Sequence, residues 1–255
     1  MKIIILAAGK GTRLGKINKN KPKCLIEING KSLIERNIKL FKKAKLNPII
    51  VTGYKGEELN FLNLPTIFNS EFETTNMLWS LYKAREHMSE DFLVCYSDIL
   101  VNLKQVTLLK NFKNGIGIII DKNWLNYWKL RFQNPLVDAE SLKISSDGNI
   151  IDIGRREYDL KNIQGQYIGF FKVSGEKRQT FINRLINFCE NKNTEILARK
   201  AYLTDFFQIL IKGLIKIKAI PTFGGWVEID TPKDINVAKK SGRLKIIENS
   251  YELKK

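Results

Sequence analysis

With 255 residues, 44% of them apolar, the chain is long enough for one α/β domain with its own core, and it excludes the disordered and fibrous classes. Cysteines at 24, 95 and 189, odd in number and without a CxxC pair, exclude a disulfide framework and a zinc ribbon and fit a reducing compartment. A net charge of +17 points to anionic partners such as nucleic acid or polyphosphates, although the lysines are scattered through the chain as on solvated faces.

In chain order, Lys2 to Ala7 is a continuous apolar run of strand length, expected for a strand buried on both faces. No apolar stretch approaches the roughly 20 residues of a membrane span, and MKIIILAAG leads straight into GKGTR, unlike a signal peptide. A soluble, cytoplasmic protein is expected. Ser32 with Glu35 predicts a capped helix start, continued by Leu33, Ile34, Asn37, Leu40, Phe41 and Ala44. Residues 48–52 and 66–69 read as strands, with a short helix from Gly56 between them. A helix over 75–87, a strand over 92–98 and a helix over 103–112 follow. Strands alternating with helices up to about residue 120 predict a mostly parallel sheet covered on both faces.

From about 121 to 173 short extended runs predict a small antiparallel insertion, with strands at 142–145 and 149–154 around the Asp147-Gly148 turn. Helices are expected over 175–191 and 202–212. Strands at 214–220 and 226–230 then lead to a helix from Pro232, capped by Thr231. The chain reads as one domain over 1–245, with the insertion at about 121–173 and a loosely held tail over 246–255.

The stretch LAAGKGTRLG (6–15) raises the question of phosphate binding. A dinucleotide fingerprint needs a third Gly where Leu14 stands and a helix where KINKNKPK follows; a Walker loop needs GxxxxGK[ST]. Neither is present. What remains is a pair of glycines that lets backbone N–H groups approach an anion. Thr12 adds a hydroxyl, Arg13 a guanidinium fork, and Lys23, stiffened by Pro22, a second cation. A plain strand-to-loop turn is the alternative.

Asp98 and Asp230 each end a predicted strand, where open α/β sheets place their ligands. Two such carboxylates in one crevice suit Mg²⁺ on substrate phosphates, with Glu228 two residues away on the same face. Taken singly, each acid reads as well as a helix cap, Asp230 before Thr231-Pro232 above all.

Together these elements resemble the sugar-phosphate and phosphocholine nucleotidyltransferases. The matching pieces are LAAGKGTRL, Pro22-Lys23, Asn76 with Ser80-Leu81, Asp98 and EIDTPKD at 228–234, in family order over nearly the whole chain. The segments DKNWLNYWKLRF, PLVDAE and IQGQYIGFFKVS are most similar to CTP-dependent cytidylyltransferases acting on small phosphorylated metabolites. The Pro-Thr that follows the loop in sugar-phosphate relatives is missing.

The resemblance implies a Rossmann-like α/β/α sandwich with a mixed, mostly parallel sheet. It implies transfer of CMP from CTP to a phosphorylated acceptor, phosphoglutamine ahead of phosphocholine, with a place in surface-polysaccharide biosynthesis. Leu6, Ala7, Ala8, Gly9, Gly11 and Thr12 would line the nucleotide, with Asn76 and Ser80 near the base. Arg13 and Lys23 would hold phosphates, and Asp98 and Asp230 would hold Mg²⁺. Attack by an ionised phosphate on the α-phosphorus needs no general base, in keeping with a single histidine, His87, outside every motif.

For the acceptor, Trp124, Tyr127, Trp128 and Trp226 could cage a quaternary ammonium, helped by Asp138 and Glu140. The same acids could hold an amino-acid ammonium while Arg131, Arg155 or Arg156 takes an anionic group; core packing is the alternative for the aromatics. Competing functions are a sugar-1-phosphate nucleotidyltransferase using UTP or dTTP and a basic nucleic-acid-binding protein. The glycine loop and spaced acids give the latter no role.

Overall fold

The computed structural model describes residues 1–18 and 20–252. The elements in order are β1 (Lys2–Ala7), β2 (Glu27–Ile28), β3 (Lys31–Ser32), α1 (Leu33–Lys43), β4 (Asn47–Thr52), β5 (Thr66–Phe68), α2 (Met77–Lys83), β6 (Phe92–Tyr96), β7 (Ile99–Leu100), α3 (Leu103–Asn111) and β8 (Gly115–Asp121). The second half continues with α4 (Trp124–Arg131), β9 (Glu140–Ile144), β10 (Ile150–Arg156), β11 (Gln166–Ser174), α5 (Lys177–Glu190), α6 (Glu195–Lys200), α7 (Leu203–Lys212), β12 (Ile217–Thr222), β13 (Val227–Glu228), α8 (Pro232–Lys240) and α9 (Arg243–Glu252).

The central sheet runs β12-β8-β11-β6-β1-β4-β5, parallel throughout except for β11, which is antiparallel to both its neighbours. This is the mixed, mostly parallel α/β sheet expected. Ile3, Ile4 and Ile5 of β1 are fully buried and alternate between two apolar cores, one on each face of the sheet. Burial of each such side chain stabilises the fold by about 1.5–3 kcal/mol. Helix α1 starts as its sequence dictates, with Ser32 and Glu35 forming a reciprocal capping box. Among the described residues no helix is long and apolar enough to cross a membrane.

Several expectations change. Residues 124–131, expected as extended chain, form α4: Trp124, Tyr127, Trp128 and Arg131 are buried at helical spacing, but an arginine on the buried face and the exposed Leu130 on the other blur that pattern in the sequence. The antiparallel insertion shrinks to the β9–β10 hairpin around Gly148, while β11 leaves it for the central sheet. The Ile-rich strand β8 and the short helix α6 have no counterpart in the expected elements. Instead of a loose tail from 246, α9 packs Leu244 and Ile247 into the core and bonds Ser250 Oγ to the Leu103 amide. The last part of that expected tail, 253–255, lies outside the described residues.

Candidate active site

The glycine loop leaves β1 at its carboxyl end and turns into a 3-10 segment, Thr12–Asn18. Leu14, where a dinucleotide loop has glycine, is fully buried and pins the loop to the core. Gly11 has φ +70°, and a Cβ there would lie 2.8 Å from Lys23 Cβ. Glycine is therefore what lets the loop close against Lys23. Pro22 opens the tight turn that presents Lys23, whose amide donates to Gly9 O at 3.5 Å while Cys24 and Ile26 anchor the turn in the core.

The two acids, 132 positions apart in sequence by their numbers, meet through a short antiparallel ribbon. β7 pairs with β13, Ile99 opposite Glu228 and Leu100 opposite Val227, and the Ile229 amide donates to Asp98 O at 2.9 Å. Asp98 and Asp230 are thereby fixed at the same end of the ribbon. Helix capping does not claim Asp230. The carboxylate that accepts from the Asp230 and Thr231 amides, at 3.1 and 2.8 Å, is that of Asp234. The side chain of Asp230 is free to face the glycine loop.

There, Lys23 Nζ donates to Asp98 Oδ2 at 2.5 Å and to Asp230 Oδ1, and Arg13 donates to the same Asp230 oxygen at 3.0 Å. Burial works against the Lys23 ammonium, but the two carboxylates outweigh it and hold its pKa above the ordinary value. Burial likewise opposes the Asp230 carboxylate, and the cations, Lys23 foremost, prevail and hold its pKa below the ordinary value. Glu228 completes a cluster in which one ligand atom from each of Asp98, Glu228 and Asp230 lies within 4.8 Å of the others. Burial pushes the Glu228 pKa up to about 8 against the opposing pull of Arg131.

Arg131 is not in the acceptor cavity. Its side chain is 1% exposed and donates to Asp234 Oδ1 at 2.9 Å, to Asp230 Oδ2 at 3.4 Å and to Glu228 Oε2. One guanidinium thus grips all three acids of the EIDTPKD segment from behind. Trp124 and Tyr127 are also core residues: Tyr127 stacks edge-on against Trp226 at 5.3 Å, and its hydroxyl accepts from the Glu228 amide at 2.9 Å. Trp124 and Tyr127 thus brace the ribbon and take no part in an acceptor cage.

Two cavities share Met77, Tyr96 and Asp98 in their walls. The smaller, about 150 Å³, is lined by Leu6, Ala8, Gly9, Lys23, Asn76 and Ser80, six residues expected near the nucleotide. Asn76 caps α2, and buried Ser80 Oγ accepts from Asn69 at 3.1 Å. Ala7 is buried, and Thr12 is exposed on the loop outside both cavities. The larger cavity, about 280 Å³, has Arg13, Asp138, Glu140, Trp128, Trp226, Glu228 and Asp230 in its walls. Burial raises the pKa of Asp138, whose carboxylate accepts from Trp128 Nε1, and pushes Glu140 to about 7. Arg155 and Arg156 do not line it. A third cavity, of about 620 Å³, is an apolar groove over α3 and α9 and contains none of these groups.

Tyr96, Tyr167, Gly169, Tyr202 and Thr204 also line the larger cavity and had no sequence signal as site residues. Gly169 sits in a register shift of β11 with φ +81°, where a Cβ would come within 2.4 Å of the Tyr96 ring. A glycine between Tyr167-Ile168 and Phe170-Phe171, inside an otherwise bulky strand run, was the one available hint of a bulge.

Residues 3–113 match the MobA-like NTP transferase domain. Over 254 aligned residues, 93% of this chain and 98% of its relative, the chain is 37% identical to a CTP:phosphoglutamine cytidylyltransferase of Campylobacter jejuni. The chain belongs to the nucleotidyltransferase family, alongside the cytidylyltransferases. The enzyme is also 37% identical to a choline-phosphate cytidylyltransferase of Streptococcus pneumoniae over 66% of its own length and 77% of the relative's. Its fold is that of a solved CTP:phosphocholine cytidylyltransferase from Streptococcus pneumoniae, with a TM-score of 0.72 at 21% identity over 94% of this chain and 98% of that one. An inositol-1-phosphate CTP transferase from T. maritima shares the fold equally, with a TM-score of 0.72 at 22% identity over 96% and 95% of the two chains.

Proposed function

We propose that the enzyme transfers CMP from CTP to the phosphate of a small zwitterionic metabolite, phosphoglutamine ahead of phosphocholine, in the cytoplasm. The observation that carries this reading is Asp98 in the wall common to the two cavities, with Lys23 beside it in one and Asp230 in the other. The transferred phosphorus belongs at that junction, with the nucleoside on the side of Ala8, Gly9, Asn76 and Ser80.

An acceptor oxygen forms a bond to the α-phosphorus, the α–β anhydride bond breaks, and its electron pair leaves with pyrophosphate. The nucleophile is ionised near neutral pH, so the protein contributes positioning and charge neutralisation rather than a general base. Lys23 and Arg13 neutralise phosphate charge, and the backbone of Gly9 to Thr12 offers N–H groups to the triphosphate. The donor set fits Mg²⁺: three carboxylates converge, and Asp98 Oδ1 is buried without a hydrogen-bond partner. Asp98 and Asp230, with Glu228, would hold the ion, which when bound supplies Lewis-acid neutralisation of the phosphates.

Asp138 and Glu140 bring two carboxyl groups into the same cavity wall as Arg13, which suits an acceptor carrying both an ammonium and a phosphate. The relative that acts on phosphoglutamine by name spans nearly the whole chain, and this supports the order of acceptors. Pyrophosphate release, measured for each nucleoside triphosphate against phosphoglutamine, phosphocholine and hexose 1-phosphates, tests the proposal. Turnover is expected with CTP and phosphoglutamine; activity confined to UTP or dTTP with a hexose phosphate overturns it.

A further inference from the structure

Lys23 has two sets of partners and one ammonium. On the triphosphate role proposed above it binds phosphate oxygens, whereas here it lies between Asp98 and Asp230, hydrogen-bonded to both. Those carboxylates are the ones assigned to the divalent ion. Two acids this close and this secluded need a compensating cation. Arg13 cannot replace Lys23 in that task, because it is 64% exposed and reaches Asp230 but not Asp98.

The fold leaves Lys23 free to change partners without moving its backbone. Its turn is held by the Gly9 carbonyl and by buried Cys24 and Ile26, and its four-carbon stem lies in the wall of the nucleotide cavity. Rotation of the side chain alone exchanges carboxylates for phosphate.

We propose that Lys23 is an internal counter-ion that closes the Asp98–Asp230 pair to divalent cations until a triphosphate draws its ammonium away. Nucleotide-free enzyme then binds divalent ions weakly, because each ion competes with a tethered cation. Nucleotide and ion favour each other's binding through the same side chain, as linkage requires. Metal loading is thereby tied to the presence of the donor substrate. The inference rests on the metal and triphosphate roles proposed for this site.

The test is a Mn²⁺ titration, read by electron paramagnetic resonance of free Mn²⁺, on the nucleotide-free full chain. Lys23→Met is expected to bind Mn²⁺ at least about tenfold more tightly than wild type, since one opposing charge at contact distance is gone. Lys23→Arg, which keeps the cation, is expected to stay near wild type. Should Lys23→Met be unfolded without metal, the counter-ion role requires Mn²⁺ to restore its far-UV circular dichroism, and failure to do so overturns it. Equal or weaker binding by folded Lys23→Met, with Asp98→Asn weakening binding in either background, overturns the counter-ion role alone. Mn²⁺ affinity indifferent to Asp98→Asn overturns the metal reading and this inference with it.

Discussion

Replacing Arg131 with Met removes the one guanidinium that, among the described residues, reaches all three of Glu228, Asp230 and Asp234. Each carboxylate at such a distance is worth about 4 kcal/mol of attraction at an effective dielectric constant near 20. That sum overstates the loss, because wild type already bears the desolvation of Arg131. Breaking a buried ion pair typically costs about 3–5 kcal/mol through the charge left behind. Three features place this site at the lower end. Glu228, already raised to about 8 by burial, can hold a proton; Asp230 keeps Lys23; and Asp234 keeps its two backbone amides. The expected destabilisation is about 3 kcal/mol, measured by urea unfolding at pH 7 with a two-state fit. Arg131→Lys should fall between the two, since one ammonium cannot make the separate contacts of Nε and both terminal nitrogens. A loss below about 1 kcal/mol, the scale of a surface ion pair, would refute the claim that Arg131 compensates these acids.

Asp98→Asn is expected to lower kcat by at least about a hundredfold, on the scale of losing one charge-stabilising group, with an unchanged far-UV spectrum; a pyrophosphate-release assay decides. Gly11→Ala should raise KM for CTP and lower stability by about 1–2 kcal/mol, because φ is +70° and its Cβ would press on Lys23 Cβ, and unaltered KM and unfolding midpoint would count against that contact. For Glu140 the folded pKa, about 7, exceeds the ordinary 4.5, so its protonated form contributes stability that is full below pH 4.5 and lost as pH rises through 7. Glu140→Gln should therefore flatten the fall in stability between pH 5 and 8 relative to wild type, and parallel urea midpoints for the two proteins would exclude that assignment.

Local signals carried much of the fold. The apolar run of β1, the Ser32–Glu35 capping box and the hairpin at Asp147-Gly148 each act within a few residues, and the structure keeps all three. Signals fail where residue type and burial disagree. Helix α4 sets Trp124, Tyr127 and Trp128 against the β7–β13 ribbon, but it also buries Arg131 and exposes Leu130, so its apolar stripe is blurred in the sequence. The same burial explains why Trp124, Tyr127 and Arg131 looked available for an acceptor: residue type is visible in a sequence, and the face it is turned to is not.

By itself the sequence determined the parts with local causes: an Ala-Gly loop that cannot be a dinucleotide fingerprint, a lysine set in place by the preceding proline, and acids at the ends of extended runs. Tertiary structure alone decided that Asp98 and Asp230 share a lysine, that Asp230 stays out of the capping box Thr231 makes with Asp234, and that Arg131 supports the acids from the core. The reason is the pairing of β7 with β13. A two-residue ribbon between segments so distant in the chain has no periodicity to read, yet its hydrogen bonds set where Asp98, Glu228 and Asp230 must lie.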